Sequence, residues 1–352
     1  MKPDIEGTPM KTLAPIFALL AAAPLAAASP AFADDFYNKR QITMIVGSAP
    51  GGGYDTYARL VARHLPKFIP GEPTIVVQNL PTAGSLAAMN TLANISPRDG
   101  STIGGMQNHI GVEPIMGITG APQNARYDGR KMNWLGSTSR EVPVAVAWAG
   151  APIKTFKDAT QREMIVGSSG VGSADAVYAR VLNALVGTKF KIIDGYKSAS
   201  DLTLAAETGE VMGRVGWFVS GMLASHASQI AEGKVNVLVQ LDFQKHPALP
   251  NVPLISEYLS DPAKLQQLEL SLAYLAAGRP FVAPPDVPAV RVKLLRGAFM
   301  QTVNSPEYLE EAKKMRLDTS PMTGEEVQKL IEKIYATPPD VVASVRAIMS
   351  PK

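Results

Sequence analysis

A glycine-rich loop near the start of the chain carries the residue pattern best suited to binding an anion. The loop consists of Ala49, Pro50, Gly51, Gly52, Gly53, Tyr54 and Asp55. Consecutive glycines let the backbone turn sharply and bring several N–H groups to one point. Residues 42–47 before the loop form an apolar run typical of a buried strand, and residues 56–65 after it are apolar at helical spacing. A helix N-terminus that follows a strand and such a turn favours an anion, with Asp55 as the predicted N-cap.

The same arrangement occurs a second time. Met-Ile-Val-Gly-Ser stands at residues 44–48 and again at residues 164–168, and Asp175 takes the position of Asp55. An N-cap role is therefore also the simplest prediction for Asp175. Two lobes that face each other across a cleft would each contribute a helix N-terminus, which favours negative charge by about 0.3–1 kcal/mol when exposed. The candidate donors of the second loop are Ser168, Ser169, Gly170, Gly172 and Ser173.

Charged and aromatic residues outside the loops leave two interpretations open. Arg140 and Arg214 lie near predicted strand ends, where they either clamp a second ligand carboxylate or pair with the neighbouring Glu141 and Glu210. Trp217 and Tyr54 each either contact an apolar part of a ligand or pack in the core or at its rim. The more common role of each residue is the structural one.

Several classes of enzyme are excluded by the sequence. A dinucleotide fingerprint fails because Thr56 stands at its last glycine position and because the second strand ends in Asn79 rather than an acid. The sequence has no P-loop and no G-x-S-x-G elbow, and it contains 0 cysteines. Its 4 histidines show no metal-ligand spacing, and we expect them to be packing or surface residues. We predict a binding protein without catalysis, metal or cofactor.

Charge and the N-terminal segment indicate an exported protein. The 352 residues have a formal net charge of only +3, which with the lack of a basic aromatic stripe argues against nucleic acid. Residues 1–33 resemble a signal peptide, with Lys11, an apolar run over residues 13–28 and an A-x-A site that predicts cleavage between Ala33 and Asp34. Met10 is an alternative start. We expect a periplasmic protein.

The remaining chain alternates predicted strands and helices, which is typical of α/β proteins with parallel sheets. Ligands in such sheets lie at the carboxyl ends of the strands, where the loops are. We assign lobe 1 to residues 34–140 and lobe 2 to residues 141–241, with residues 242–352 returning to lobe 1 and ending in helices. Residues 280–288 are predicted to be a stiff proline-rich connector.

The order of motifs resembles the Bug family of extracytoplasmic solute receptors, which serve tripartite tricarboxylate transporters. The resemblance rests on the glycine loop, N-x-P-x-A-G-S at residues 79–85 and P-R-D-G at residues 97–100. It continues through the segments at residues 133–137, 187–196, 209–214, 281–291 and 321–325. It implies a two-lobed periplasmic binding fold of type II-like form, each lobe a mainly parallel sheet flanked by helices, that closes on its ligand.

The resemblance also implies a ligand and partners. Family members bind small carboxylates through backbone amides and hydroxyls of opposed loops, which adds Ala83, Gly84 and Ser85 to the candidate contacts. We further include Ser137, Tyr196 and Trp217 as candidate contacts on our own interpretation of the residues. The chain departs from the family pattern at Tyr54, where a small residue is usual, and after Ile193. We expect a monomer that delivers its carboxylate to a large and a small membrane subunit. The alternative is a sensory receptor that engages a two-component sensor kinase.

Overall fold

Two β-sheets flanked by helices organise the chain in a computed structural model. The structure describes Met1 and residues 35–120 and 122–350. The predicted signal peptide after Met1, its cleavage site and the alternative start at Met10 lie outside the described residues. No helix among the described residues is long and apolar enough to cross a membrane.

The strands are numbered in chain order. They are β1 (Gln41–Val46), β2 (Thr74–Asn79), β3 (Thr102–Gly105), β4 (Asn133–Ser137), β5 (Pro143–Trp148), β6 (Met164–Ser168), β7 (Phe190–Asp194), β8 (Gly213–Phe218), β9 (Val235–Gln240), β10 (Pro280–Ala283) and β11 (Met322–Thr323). Sheet 1 has the order β11-β4-β10-β3-β1-β2, and sheet 2 has the order β7-β6-β8-β5-β9. The chain thus crosses into sheet 2 after Ser137 and returns to sheet 1 at Pro280.

The α-helices are numbered in the same way. They are α1 (Gly53–His64), α2 (Leu86–Asn94), α3 (Glu113–Met116), α4 (Phe156–Gln161), α5 (Ala174–Leu185), α6 (Ala199–Glu207), α7 (Val219–Ala231), α8 (Pro262–Ala273), α9 (Ala289–Val303), α10 (Pro306–Lys314), α11 (Gly324–Tyr335) and α12 (Pro339–Met349). The helix predicted from the glycine loop, α1, begins at Gly53 and so starts three residues earlier than its apolar spacing indicates.

Both sheets are mixed. Strands β1, β2 and β3 pair in parallel, as do β6, β7 and β8, but β10 is antiparallel to β3 and β4, and β5 is antiparallel to β8 and β9. The prediction of mainly parallel sheets therefore holds only for these two triplets of strands. The prediction of a connector over residues 280–288 is wrong for its first four residues, which form β10 in the middle of sheet 1. Pro280 is compatible with a strand because it is the first residue of that strand.

The repeated Met-Ile-Val-Gly-Ser segment forms β1 and β6, each followed by a loop and a helix of 12 residues. Ile42, Met44 and Val46 in β1 are fully buried, as is expected for a strand covered on both faces. The helix α1 buries Tyr57, Leu60 and Val61 on one side. Each loop is therefore anchored at both ends, by a buried strand before it and by a helix after it.

The last helix, α12, contacts α3 of the first part of the chain as well as two later helices. Helix α12 packs against α5 and α8, and Arg180 in α5 donates from Nε to the Met349 carbonyl at 2.8 Å.

Candidate functional site

The loop between β1 and α1 is held in shape by Asp55. The N-cap of α1 is Gly52 rather than the predicted Asp55, and Gly51 has a positive φ of 78°. Because the helix starts early, Asp55 lies in its first turn, where Oδ2 accepts a hydrogen bond from Gly51 N at 2.8 Å. Arg59 Nε and Asn79 Nδ2 also donate to this carboxylate, at 2.9 and 2.7 Å. Burial alone would raise the pKa of Asp55, but the hydrogen bonds from Arg59 and Asn79 hold it below its usual value.

The loop between β6 and α5 is closed by serines. Ser173 is the N-cap of α5, and its Oγ accepts from Ala176 N at 3.4 Å. The predicted N-cap role of Asp175 is therefore wrong, because Asp175 lies inside the helix. Ser168 Oγ accepts from Gly170 N at 3.1 Å and lies 2.9 Å from Ser173 Oγ. The two hydroxyls thus stabilise the loop from within.

The second predicted turn, residues 79–85, is hydrogen-bonded to the end of β1 through Ser85. Ser85 Oγ donates to the Gly47 carbonyl at 2.8 Å and accepts from Gln107 N at 3.0 Å. A side chain at Gly47 would overlap Ser85, so this close approach requires glycine at position 47. Ser85 therefore ties the end of β1 to the segment that follows β3.

The first turns of α1 and α5 line one cavity of about 440 Å³, here called the main cavity. Its lining residues are Gly51, Gly53, Tyr54, Thr56, Tyr57, Ala174, Asp175, Arg214, Gly216, Trp217, Phe218, Ser220, Gly221, Ala224, Arg279, Arg316 and Leu317. Within the described part of the chain, no acceptor is found for the backbone N–H groups of Gly53, Tyr54 and Ala174. Unsatisfied N–H groups at a helix N-terminus are donors for an anion.

Arg214 forms one wall of the main cavity. Its Nη2 lies 3.1 Å from Asp175 Oδ1, and its Nη1 donates to Thr203 Oγ1 at 2.9 Å. The guanidinium also lies 4.6 Å from the centre of the Trp217 ring. Arg214 thus pairs with Asp175, whereas Glu210, its predicted alternative partner, accepts from Tyr196 OH at 2.7 Å.

Arg279 forms another wall of the main cavity, and no sequence motif had identified it. Its Nη2 lies 2.7 Å from Glu141 Oε1, and both side chains are almost fully buried. Its guanidinium is stacked 4.1 Å from the centre of the Tyr54 ring, and its Nε has no partner among the described residues. Arg140, the neighbour of Glu141, pairs with Asp242 instead and does not line the main cavity.

A second cavity of about 120 Å³, here called the small cavity, lies next to the main cavity. Its lining residues are Tyr54, Gln107, Asn108, His109, Ile118, Gly172, Ser173, Ala174, Val177, Tyr178, Phe218 and Tyr274. Burial lowers the pKa of His109 to about 4, so its imidazole is neutral at pH 7. Asn108 was not predicted, although its Nδ2 is buried without a partner in the described part of the chain.

The structure brings together only part of the predicted set. Gly51, Gly53, Tyr54 and Trp217 line the main cavity, and Tyr54, Gly172 and Ser173 line the small cavity. The other predicted residues are not among the lining residues of either cavity; they are Ala49, Pro50, Gly52, Asp55, Ala83, Gly84, Ser85, Ser137, Ser168, Ser169, Gly170 and Tyr196. The Ser137 hydroxyl, for example, accepts a hydrogen bond from Arg279 N at 3.0 Å. It therefore helps to position Arg279, which lines the main cavity.

No group of three or more His, Cys, Asp or Glu residues suited to a metal ion occurs in the part of the chain that the structure describes. The donors of the main cavity are instead amide N–H groups, guanidinium groups and the Ser220 hydroxyl. Such a donor set recognises anions, carboxylates in particular.

Comparison with known proteins agrees with this chemistry. Residues 57–343 match the TctC family, described as tripartite tricarboxylate transporter family receptor. An Agrobacterium vitis protein described as a UPF0065 protein in the TAR-I ttuE-ttuC' intergenic region is 27% identical over 285 residues, which cover 79% of this chain and 75% of that protein.

Solved structures share the fold. A TctC solute-binding protein from Polaromonas has a TM-score of 0.67 at 19% identity and covers 88% of this chain and 99% of its own. A Rhodopseudomonas palustris protein with adipate has a TM-score of 0.65 at 17% identity, covering 89% and 99%. MatC from the same organism, with bound malate, has a TM-score of 0.62 at 19% identity, covering 86% and 99%.

These matches confirm the predicted two-lobed periplasmic binding protein fold and the predicted family resemblance. The family and its structural neighbours are periplasmic solute receptors rather than enzymes. The chain belongs to the TctC family of tripartite tricarboxylate transporter receptors.

Proposed function

We propose that this receptor binds a small carboxylate in the main cavity and delivers it to the large and small membrane subunits of a tripartite tricarboxylate transporter. One observation carries the proposal: the N-terminal turns of α1 and α5 line the same cavity as Arg214 and Arg279. Helix N-termini carry partial positive charge, and guanidinium groups bind carboxylates with two parallel hydrogen bonds. All of these donors line the same cavity.

The cavity attracts an anion without a large net charge. Arg214 and Arg279 are each balanced by a buried carboxylate, Asp175 and Glu141 respectively. These ion pairs orient the two guanidinium groups, and Arg316 adds a third guanidinium to the lining beside the helix N-termini. Preorganised donors of this kind bind an anion with little reorganisation, which favours affinity.

The main cavity lies between two lobes in this proposal. We assign residues 34–140 to lobe 1 and residues 141–241 to lobe 2, with residues 242–352 returning to lobe 1. The distribution of strands between the sheets supports these boundaries, since β1–β4 and β10–β11 lie in sheet 1 and β5–β9 lie in sheet 2. Helix α12 contacts α3 of lobe 1 as well as α5 of lobe 2, so it connects the two proposed lobes. The receptor closes as the lobes meet around the carboxylate.

Two structural neighbours support the ligand class, since one is described with malate and the other with adipate. Malate and adipate are both dicarboxylates. The receptor is exported as a monomer, and its signal peptide is removed between Ala33 and Asp34. N-terminal sequencing of protein recovered from the periplasm tests that cleavage site.

Binding is tested on protein recovered from the periplasm after export. The protein is denatured to release bound molecules, which are analysed by mass spectrometry, and then refolded and titrated calorimetrically with carboxylates of different length and charge. We expect saturable binding of at least one carboxylate at micromolar concentration or below. Refolded protein that binds none of them, and that released no carboxylate, contradicts the proposal.

Transport is tested in cells that lack the gene for this chain. We expect these cells to lose uptake of the radiolabelled carboxylate that the purified protein binds, while transcription in response to that carboxylate stays unchanged. Normal uptake with a lost transcriptional response would instead identify the sensory role.

A further inference from the structure

We propose that Tyr54 and Phe218 form a wall that divides the cleft and confines the ligand to the main cavity, which limits the length of carboxylate that the receptor accepts. The inference rests on the proposed function and adds a determinant of specificity to it. Tyr54 and Phe218 come from the two sides of the cleft, because Tyr54 belongs to α1 beside sheet 1 and Phe218 ends β8 in sheet 2.

The lining of the two cavities places this wall. Among the described residues, Tyr54, Ala174 and Phe218 are the only ones that line both the main cavity of about 440 Å³ and the small cavity of about 120 Å³. Ala174 contributes a methyl group, whereas the other two residues contribute aromatic rings. The rings therefore supply most of the material between the cavities.

Tyr54 is held firmly in this position. Its ring lies 4.1 Å below the guanidinium of Arg279, which is itself fixed by Glu141 at 2.7 Å. Its hydroxyl accepts a hydrogen bond from Asn108 N at 3.3 Å. A ring that is stacked on one face and hydrogen-bonded at its tip cannot swing aside without the loss of both contacts.

The small cavity behind the wall is suited to a polar group. Asn108 is only 7% exposed, and its Nδ2 has no hydrogen-bond partner among the described residues. Buried amide donors are normally satisfied, so this group is available to a ligand that reaches it. Removal of the wall would let the far carboxylate of a longer ligand enter the small cavity.

The test compares affinities for a series of straight-chain dicarboxylates from succinate to suberate in the wild type and in three variants. Tyr54→Ala and Phe218→Ala each remove one ring, and Tyr54→Phe is the matched control that keeps the ring and loses only the hydroxyl. Each additional methylene that becomes buried strengthens binding about fourfold. We expect the ratio of suberate to succinate affinity to rise at least about tenfold in both alanine variants and less than about threefold in Tyr54→Phe.

The outcomes separate the wall from the carboxylate site. If the wild type binds a dicarboxylate and both alanine variants keep its length profile, the wall is refuted and the proposed function stands. If the wild type binds none while an alanine variant binds the longer ligands, the wall is supported and the proposed function of the wild type fails. If no folded protein binds any member of the series, the wall is refuted, and the proposed function is decided separately by the titration with other carboxylates and by the analysis of released ligand. Circular dichroism shows whether each alanine variant is folded. If one of them is not, the other suffices for the test.

Discussion

The Arg214 guanidinium lies 3.1 Å from the Asp175 carboxylate, and the two side chains are only 4% and 10% exposed. Arg214 belongs to β8 and Asp175 to the first turn of α5, so the pair fixes this helix N-terminus against sheet 2. Burial raises the pKa of Asp175, although the Arg214 charge opposes that shift. One interaction thus serves both the fold and the main cavity.

Replacement of Arg214 by methionine should reduce both stability and binding. Removing one partner of a buried ion pair leaves the other charge uncompensated, which destabilises a protein by about 3–5 kcal/mol. The main cavity also loses a guanidinium wall. Urea unfolding measures the loss of stability, and calorimetry measures the loss of carboxylate affinity, which we expect to be at least about tenfold.

The double variant Asp175→Leu with Arg214→Met separates these two effects. Replacing both partners by apolar residues of similar volume is often neutral for stability. We therefore expect the double variant to recover most of the lost free energy of unfolding but none of the lost affinity. Recovery of affinity in the double variant would show that Arg214 only positions α5 and does not bind the ligand.

Gly53→Val should block the donors of α1. A Cβ atom at Gly53 would lie 3.4 Å from Arg279 Nη2, so a larger side chain would stand between this guanidinium and the free N–H groups of the first turn. We expect carboxylate affinity to fall at least tenfold, by about 1.4 kcal/mol. The free energy of unfolding should change by less than about 1 kcal/mol, because Gly53 is in a helix.

Gly297→Val provides the matched control for Gly53→Val. Gly297 lies in α9 and has no neighbouring atom within 4 Å of an added Cβ. The same chemical change there should leave affinity unaltered. Equal losses of affinity in the two variants would argue that valine in a helix disturbs the whole protein rather than the site.

His109 should make the protein less stable in mild acid. Burial lowers its pKa to about 4, whereas in the unfolded chain it is about 6.5. Between these two values the unfolded chain binds more protons, so the free energy of unfolding falls as the pH falls, by up to about 1.4 kcal/mol per pH unit. We expect His109→Gln to have a shallower dependence between about pH 6.5 and 4, measured by urea unfolding. Equal slopes would refute the assignment.

Ser85→Ala should weaken the support behind the site. The substitution leaves the Gln107 N–H without its acceptor at 3.0 Å and the Gly47 carbonyl without its donor at 2.8 Å. An unsatisfied buried polar group destabilises by about 1–3 kcal/mol. Ser85→Thr would keep the hydroxyl but crowd Gly47, so Ser85→Cys is the more conservative comparison. A stability unchanged from the wild type in Ser85→Ala would show that water replaces the hydroxyl.

The two site loops were predictable because their signals are local. A buried strand, a glycine turn and an amphipathic helix are each encoded within a few residues, and the repetition of Met-Ile-Val-Gly-Ser identified the second copy. The convergence of α1 and α5 on the main cavity agrees with the prediction of two opposed helix N-termini. Helix α8 was not predicted. Its N-terminus has a local signal, Asp261 as N-cap before Pro262, but its apolar residues do not follow a clear helical spacing.

The partners of charged residues were not predictable in the same way. Aspartate is a favoured N-cap residue, which is why Asp55 and Asp175 were predicted to be N-caps. Both helices begin before these residues, at Gly53 and Ala174, so both aspartates lie in the first turn. Arg279 and Glu141 are 138 positions apart in the chain, since one precedes β10 and the other precedes β5. A pairing between such distant segments leaves no local pattern.

The sequence by itself determined the fold class, the family and the two strand–loop–helix units at β1 and β6, because strand, turn and helix propensities act over short distances. Only the tertiary structure decided which guanidinium groups line the cavity and how the cleft is divided. Those features depend on β10 returning to the middle of sheet 1, which brings the Arg279 guanidinium against the Tyr54 ring. Contacts of this kind arise from packing between elements far apart in the chain, and packing is specified by the whole fold.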